Sequence, residues 1–305
     1  MAFLKKGAYF LAGTVLFLLL TELIMRQVWG LGTVLLYQPH PILHSIVKPK
    51  QELTKFGNRI LYNEESMRSL PLKTGEKRWL IIGNSVLNGG NLTHHDSLAT
   101  SHLEKEFQQK KGENIRILNL SGGGWGPDVA MEYVKLFGDF EAKGIVLVVN
   151  NNNIYDNLPL ISSAGMFEHL PTKQPFCAWT EVYHRYLKNK FRFWQIQKHQ
   201  ESKPKKVKSY PFNQGFTFFK QYCQEKKIPL AIYLHPTLSE ATQQQPDIHS
   251  QTILQKLDSL QISYLSGFQF PNPLNIYRDE YHLTEEGQRV LADRLRILLE
   301  KEMKE

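Results

Sequence analysis

Four short polar segments in this chain have residue types suited to acyl transfer. The first is Gly83-Asn84-Ser85, at the exit of an apolar run. The last is Asp279-x-x-His282, just before a C-terminal amphipathic segment. A carboxylate three residues before a histidine can accept from one imidazole nitrogen, which frees the other to act as a base. A serine brought to that base becomes a nucleophile. Between them lie Ser121-Gly122-Gly123-Gly124-Trp125-Gly126-Pro127-Asp128 and the cluster Asn150-Asn151-Asn152-Asn153. The glycines let backbone N–H groups face a small anion, and asparagine amides can donate to a developing oxyanion. Taken singly, each has an ordinary explanation: a capping serine, a flexible loop, turn asparagines, a surface histidine. Phosphate binding is the alternative for the glycine loop, but neither G-x-x-x-x-G-K-[ST] nor G-x-G-x-x-G is present.

These segments become one site only if the fold gathers them. Apolar runs Trp79–Ile82, Ile115–Leu120, Ile145–Val149, Leu230–Leu234 and Ile262–Leu265 read as buried strands. Helical patterns alternate with them over Ser97–Phe107, Asp128–Phe137, Phe212–Lys226 and Ile248–Leu260, and Thr284 caps a last helix. Such alternation predicts an α/β fold with a parallel sheet covered on both faces. Ligands of these sheets bind beyond the carboxyl ends of the strands. The serine, glycine and asparagine segments each follow a strand there, and the histidine turn is expected at the same edge.

The chain has 305 residues, 42% hydrophobic and 22% charged, with a net charge of +8. That length suits one large domain or two small ones. The basic balance suits anionic surfaces such as lipid headgroups or acidic glycans; with no nucleic-acid motif beside it, nucleic acid is not expected as a partner. The two cysteines, Cys177 and Cys223, form no C-x-x-C. They are read as reduced or partly buried thiols, with pairing left open. No metal-ligand cluster is visible, and no cofactor is expected.

Lys5 and Lys6 precede an apolar run from Gly7 to Ile24, followed by Arg26. The run is long enough to span a bilayer, and the lysines favour a cytoplasmic N-terminus with the remainder outside. The bulky residues after the run favour an uncleaved anchor over a signal peptide. Glu22 within the run is expected to pair with Arg26 near the outer interface. The expected organisation is a signal anchor over 1–28, a stem or linker over 29–75, and a hydrolase-like domain over 76–305. An insert at about 158–210 mixes aromatics and bases, including Lys203-Pro204-Lys205-Lys206-Val207-Lys208. It reads either as a cap that meets a membrane or glycan, or as a solvated helix packing its aromatics on the domain.

In this order, the four segments resemble the GDSL-type esterase/lipase superfamily, the SGNH hydrolases. Gly83-Asn84-Ser85-Val86, Gly124, Asn152 and Asp279-x-x-His282 stand for its four blocks. The resemblance implies a flavodoxin-like three-layer sandwich with a five-stranded parallel sheet, here preceded by a transmembrane helix. It implies Ser85 as nucleophile, His282 as base and Asp279 as its orienting carboxylate. It further implies an oxyanion hole from the Ser85 and Gly124 amides and the Asn152 side chain, with Gly122, Gly123 or Asn151 as alternative registers. The family usually has aspartate where Asn84 stands, and Gly-Asn-Asp where Asn151-Asn152-Asn153 stands. The implied activity is hydrolysis of carboxylic esters, O-acyl or O-acetyl groups on a glycan or lipid. The implied location is the bacterial cytoplasmic membrane, with the domain outside. O-acyl transfer to an envelope polysaccharide by the same residues is a second reading. A non-catalytic glycan-binding or assembly protein of the same fold is a third.

Overall fold

The structure is a computed structural model. It describes residues 2–112, 114–156, 164–167, 169–188, 211–269 and 272–303. The Lys203–Lys208 run of the insert lies outside them.

Five parallel strands form the central sheet: β5 (Lys77–Gly83), β6 (Ile115–Ser121), β7 (Ala142–Val149), β8 (Leu230–Leu234) and β9 (Ser263–Ser266). Their spatial order is β6-β5-β7-β8-β9. Numbered within the sheet, this is 2-1-3-4-5, the flavodoxin-like arrangement, whose switch point lies beside its first strand. That strand is β5, and Ser85 follows it.

Side chains alternate across the pleat and meet a different helical layer on each face. Leu80, Ile82, Leu118, Leu120, Ile145 and Leu147 pack against α4 (Pro127–Phe137), α6 (Gly215–Lys226) and α8 (Ile248–Ser259). Trp79, Ile81, Ile115, Ile117, Val146 and Val148 pack against α3 (Ala99–Lys111) and α10 (Glu285–Glu302). The sequence-predicted strands and helices correspond to these elements, with ends shifted by up to four residues. As predicted, Thr284 caps α10; its Oγ1 accepts from the Gly287 amide at 3.1 Å.

Residues 29–75, expected as extended or turning backbone, contain two β-hairpins. β1 (Tyr37–His40) pairs with β2 (His44–Val47), and β3 (Gln51–Lys55) with β4 (Asn58–Tyr62). The second is closed by Phe56-Gly57, both at positive φ (51° and 79°), the two-residue loop whose twist matches that of the strands. Leu35, Leu53, Ile60 and Tyr62 form a small core of their own, while Leu43, Ile46 and Met67 join the main one.

The N-terminal helix α1 (Ala2–Trp29) is apolar and long enough over Lys5–Trp29 to cross a membrane. Glu22 and Arg26 pair within it, Nε to Oε1 at 2.6 Å. Cys177 and Cys223 are both free thiols.

The junction of α1 with the hairpins is held by a buried ion pair. Lys55 Nζ lies 2.5 Å from Glu181 Oε1, with each side chain 1% exposed. Glu181 belongs to α5 (Ala178–Val182), and its second oxygen accepts from the Gly32 amide at 2.6 Å. The Lys55 ammonium also donates to the Gly30 and Thr33 carbonyls. Removing one member of such a pair strands a charge in the interior. Lys55→Met is therefore expected to lower the unfolding free energy by about 3–5 kcal/mol, and Lys55→Met with Glu181→Leu to restore most of it. Denaturant titration of the full chain in detergent measures both; equal loss in the single and double variants would contradict the pairing.

Candidate active site

The serine is presented by a short, tightly closed turn. β5 ends at Gly83, and Asn84 caps α2 (Ser85–Asn88), its Oδ1 accepting from the Val86 amide at 2.9 Å. The helix stops after four residues at Gly89, whose φ is +71°. Val86 and Leu87 are buried in the core, so Ser85 is left half-buried at the sheet edge.

The histidine arrives on a knotted turn. Tyr277 and Leu283 bridge antiparallel, and the Arg278 amide donates to the His282 carbonyl at 2.7 Å. Asp279 Oδ1 accepts from the Tyr281 and His282 amides, each at 2.9 Å. Burial raises the affinity of the Asp279 carboxyl for its proton, but the His282 and Tyr281 amides and the imidazole outweigh it. The group is held below the usual aspartate range.

These two turns meet. His282 Nδ1 lies 2.8 Å from Asp279 Oδ2, and His282 Nε2 lies 2.9 Å from Ser85 Oγ. With Nδ1–H donated to the carboxylate, Nε2 carries the lone pair that accepts from the serine hydroxyl. Gln288 of α10 fixes the two parts to each other. Its Nε2 donates to the Val86 carbonyl at 2.8 Å, and its Oε1 accepts from the Ala99 amide at 2.9 Å. The Gln288 side chain is fully buried.

Ser85, Asp279, His282 and Gly124 line one cavity of about 730 Å³. Gly124 has φ +74°, which favours glycine. At Gly122 a Cβ would come within 2.5 Å of the Trp125 indole, so the loop closes only around glycine there. The hairpin segment also reaches this cavity through Tyr37, Ile46 and Tyr62. Asn88 crosses its floor, donating to the Tyr62 hydroxyl at 2.9 Å and the Ser121 carbonyl at 3.0 Å. Arg278 closes one rim, donating to the Leu92 carbonyl at 3.1 Å. Sequence reasoning passed over Tyr62, Asn88 and Arg278, because their partners are distant in sequence. Among the described residues, no cluster of three or more His, Cys, Asp or Glu side chains is placed to hold a metal ion.

The four asparagines after β7 divide the work unequally. Asn150 caps a 3₁₀ turn over Asn151–Ile154, its Oδ1 accepting from the Asn152 amide. Asn151 Nδ2 donates to Asp247 Oδ2 at 2.7 Å. Asn152 is exposed and does not line the cavity that holds Ser85. Asn153, buried like Asn150 and Asn151, reaches furthest across the site. Its Oδ1 accepts from Asn84 Nδ2 and from the Asn150 amide, both at 3.1 Å, and its Nδ2 donates to the Trp125 carbonyl at 3.2 Å. One amide thus ties together the loops after β5, β6 and β7. The Asn150-x-x-Asn153 spacing, that of a capping box, was the signal for it in the sequence.

No protein-family model and no curated protein sequence matches the chain. Several solved structures are similar to it, esterases among them. A two-domain esterase active on acetylated mannans, co-crystallized with mannopentaose, has a TM-score of 0.44 at 9% identity. That likeness covers 75% of this chain and 50% of the other, so the chain spans half the length of that esterase. The psychrotrophic esterase EstA from Pseudoalteromonas sp., inhibited by monoethylphosphonate, has a TM-score of 0.44 at 11% identity, covering 75% of this chain and 100% of EstA. The acetyl xylan esterase AlAXEase has a TM-score of 0.43 at 14% identity, covering 72% and 98%. With scores this low, any functional assignment rests on the geometry of the site itself.

The asparagine bracket makes Asn84 sensitive to charge. In Asn84→Asp, a carboxylate oxygen would face Asn153 Oδ1, acceptor against acceptor. Asn153 cannot reverse its amide without losing the Asn150 and Trp125 bonds. The variant is expected to lose about 1–3 kcal/mol of stability, the cost of a buried group left unpaired. The denaturation midpoint reads this; an unchanged midpoint would contradict the bracket.

Proposed function

We propose that the chain is a membrane-anchored serine hydrolase of the SGNH type, cleaving carboxylic esters. The observation that carries this reading is the hydrogen-bonded chain from Ser85 Oγ through the His282 imidazole to the Asp279 carboxylate. Ser85 attacks the ester carbonyl while His282 Nε2 takes its proton, and Asp279 steadies the imidazolium. The tetrahedral oxyanion is held by the Ser85 and Gly124 amides. Collapse of this intermediate expels the alcohol, which leaves with the proton from His282. Water, deprotonated by the same nitrogen, then releases the acyl group from the serine.

The Asn152 amide, the expected third donor, would have to turn toward Ser85 when substrate binds. The cavity lining combines Asn88, Ser121 and Tyr62 with apolar Ile46 and Leu92, which favours O-acyl esters of a polyhydroxylated or lipid alcohol. The lysine pair at the start of α1, ahead of its apolar run, supports a cytoplasmic N-terminus and a domain on the far side of a bacterial cytoplasmic membrane.

A fluorophosphonate probe is expected to label the full chain in detergent and to leave Ser85→Ala unlabelled. Equal labelling of both, or of neither, would overturn the nucleophile. Asp279→Asn is expected to lower kcat on a short-chain aryl ester by about ten-thousandfold with KM little changed, since it removes the carboxylate that fixes the imidazole tautomer. An active Asp279→Asn enzyme would remove that residue from the mechanism.

A further inference from the structure

A second cavity, of about 560 Å³, lies apart from the serine, against Val34 and the helix that follows Cys177, a helix that is itself bonded to α1. Glu22 explains the position of this helix. Besides Arg26, its carboxylate accepts from the Ala178 amide at 2.8 Å and the Trp179 amide at 3.3 Å. Glu22 stands about two helical turns before Trp29, so α5 begins roughly 10 Å short of the end of α1. Glu181, bonded to Gly32 and Lys55, fixes the other side of α5 to the hairpins. The start of α5 is therefore held beside the last turns of an apolar helix, not above them.

The surface at that level has the composition of a bilayer interface. Phe176 is 94% exposed and Met166 73%, with Phe167 and Trp179 also exposed. Lys173, Arg185 and Lys188 line the cavity beside them. Among the described residues that line it, the carboxylate is Glu181, which Lys55 already neutralises. Apolar and aromatic groups rimmed by cations suit acyl chains below and anionic headgroups above. The same loop also borders the active site: His169 and Leu170 line the serine cavity, while Gly165, Phe167 and Pro171 line this one. The Pro171 carbonyl accepts from the amide of Tyr37, which itself lines the serine cavity.

We propose that Met166, Phe167 and Phe176, with Lys173, Arg185 and Lys188, form a second membrane contact seated in the anionic headgroup layer beside α1. The serine cavity is then held one loop away from the lipid, where it meets acyl esters carried at the membrane surface. This rests on the reading of α1 as a membrane span.

The test uses the full chain with Cys177→Ser and Cys223→Ala, carrying an environment-sensitive fluorophore at Phe176→Cys or, as reference, at Leu18→Cys. Each is reconstituted into vesicles containing brominated phosphatidylcholine, with or without phosphatidylglycerol. The expected result is a blue shift and bromine quenching at both positions, stronger at position 176 with phosphatidylglycerol present. Lys173→Glu with Arg185→Glu and Lys188→Glu is expected to lower quenching at position 176 about twofold or more, leaving position 18 unchanged. Quenching at 18 but not at 176 would overturn the second contact alone. Quenching at neither would overturn it together with the membrane span. Equal quenching at 176 with and without phosphatidylglycerol, or no effect of the charge reversals, would overturn the anionic headgroup contact.

Discussion

The site depends on the in-register pairing of β5 with both of its neighbours. Gly83 stands opposite Ser121 on one side and Val148 on the other. Because the three strands end level, the turns that leave them are abreast, and a single side chain can span all three. Asn153 is that side chain. A shift of register on either side would part the serine turn from the glycine loop. The continuous runs of β-branched and leucine residues bury these strands on both faces.

The bracket beneath the serine is made of neutral amides. Asn84 and Asn153 each donate and accept, so a closed set of hydrogen bonds forms without a charge in the interior. The carboxylate that matters to the proposed chemistry is kept apart, on the half-exposed turn that carries His282. There it is satisfied by two backbone amides and the imidazole. Separating the two spares the serine turn a buried ionised group, whose desolvation would be costly. Asn84 is matched by Asn153, since an amide donor at one position needs an acceptor at the other.

Much of this was legible in the sequence, for reasons that differ by element. The five strands announced themselves because each is a short apolar run ended by glycine or polar residues. Asp279 and His282 could be paired because their spacing is local, and Ser85 could be set with them because it follows an apolar strand and the order of the four segments resembles a known family. The β3–β4 hairpin was not legible: its loop is Phe56-Gly57, and a phenylalanine at positive φ is no turn signal. Asn152 and Asn153 could not be told apart by type. The capping-box spacing from Asn150 marks Asn153, but its contact with Asn84 and Trp125 is tertiary and left no local trace. The Glu22–Arg26 pair was visible as an i,i+4 spacing. The two amides of α5 that Glu22 also binds lie more than 150 residues away and leave no local trace.

Gln288 has a consequence for biosynthesis. It joins the last long helix to the backbone that follows the serine, at Val86 and Ala99, and these are among the first parts of the core to be made. A nascent chain therefore presents its hydroxyl long before it possesses the base. Until the final helix docks, Ser85 is an ordinary alcohol with no imidazole beside it. On the proposed chemistry, a chain clipped before residue 282 would carry the nucleophile without its base.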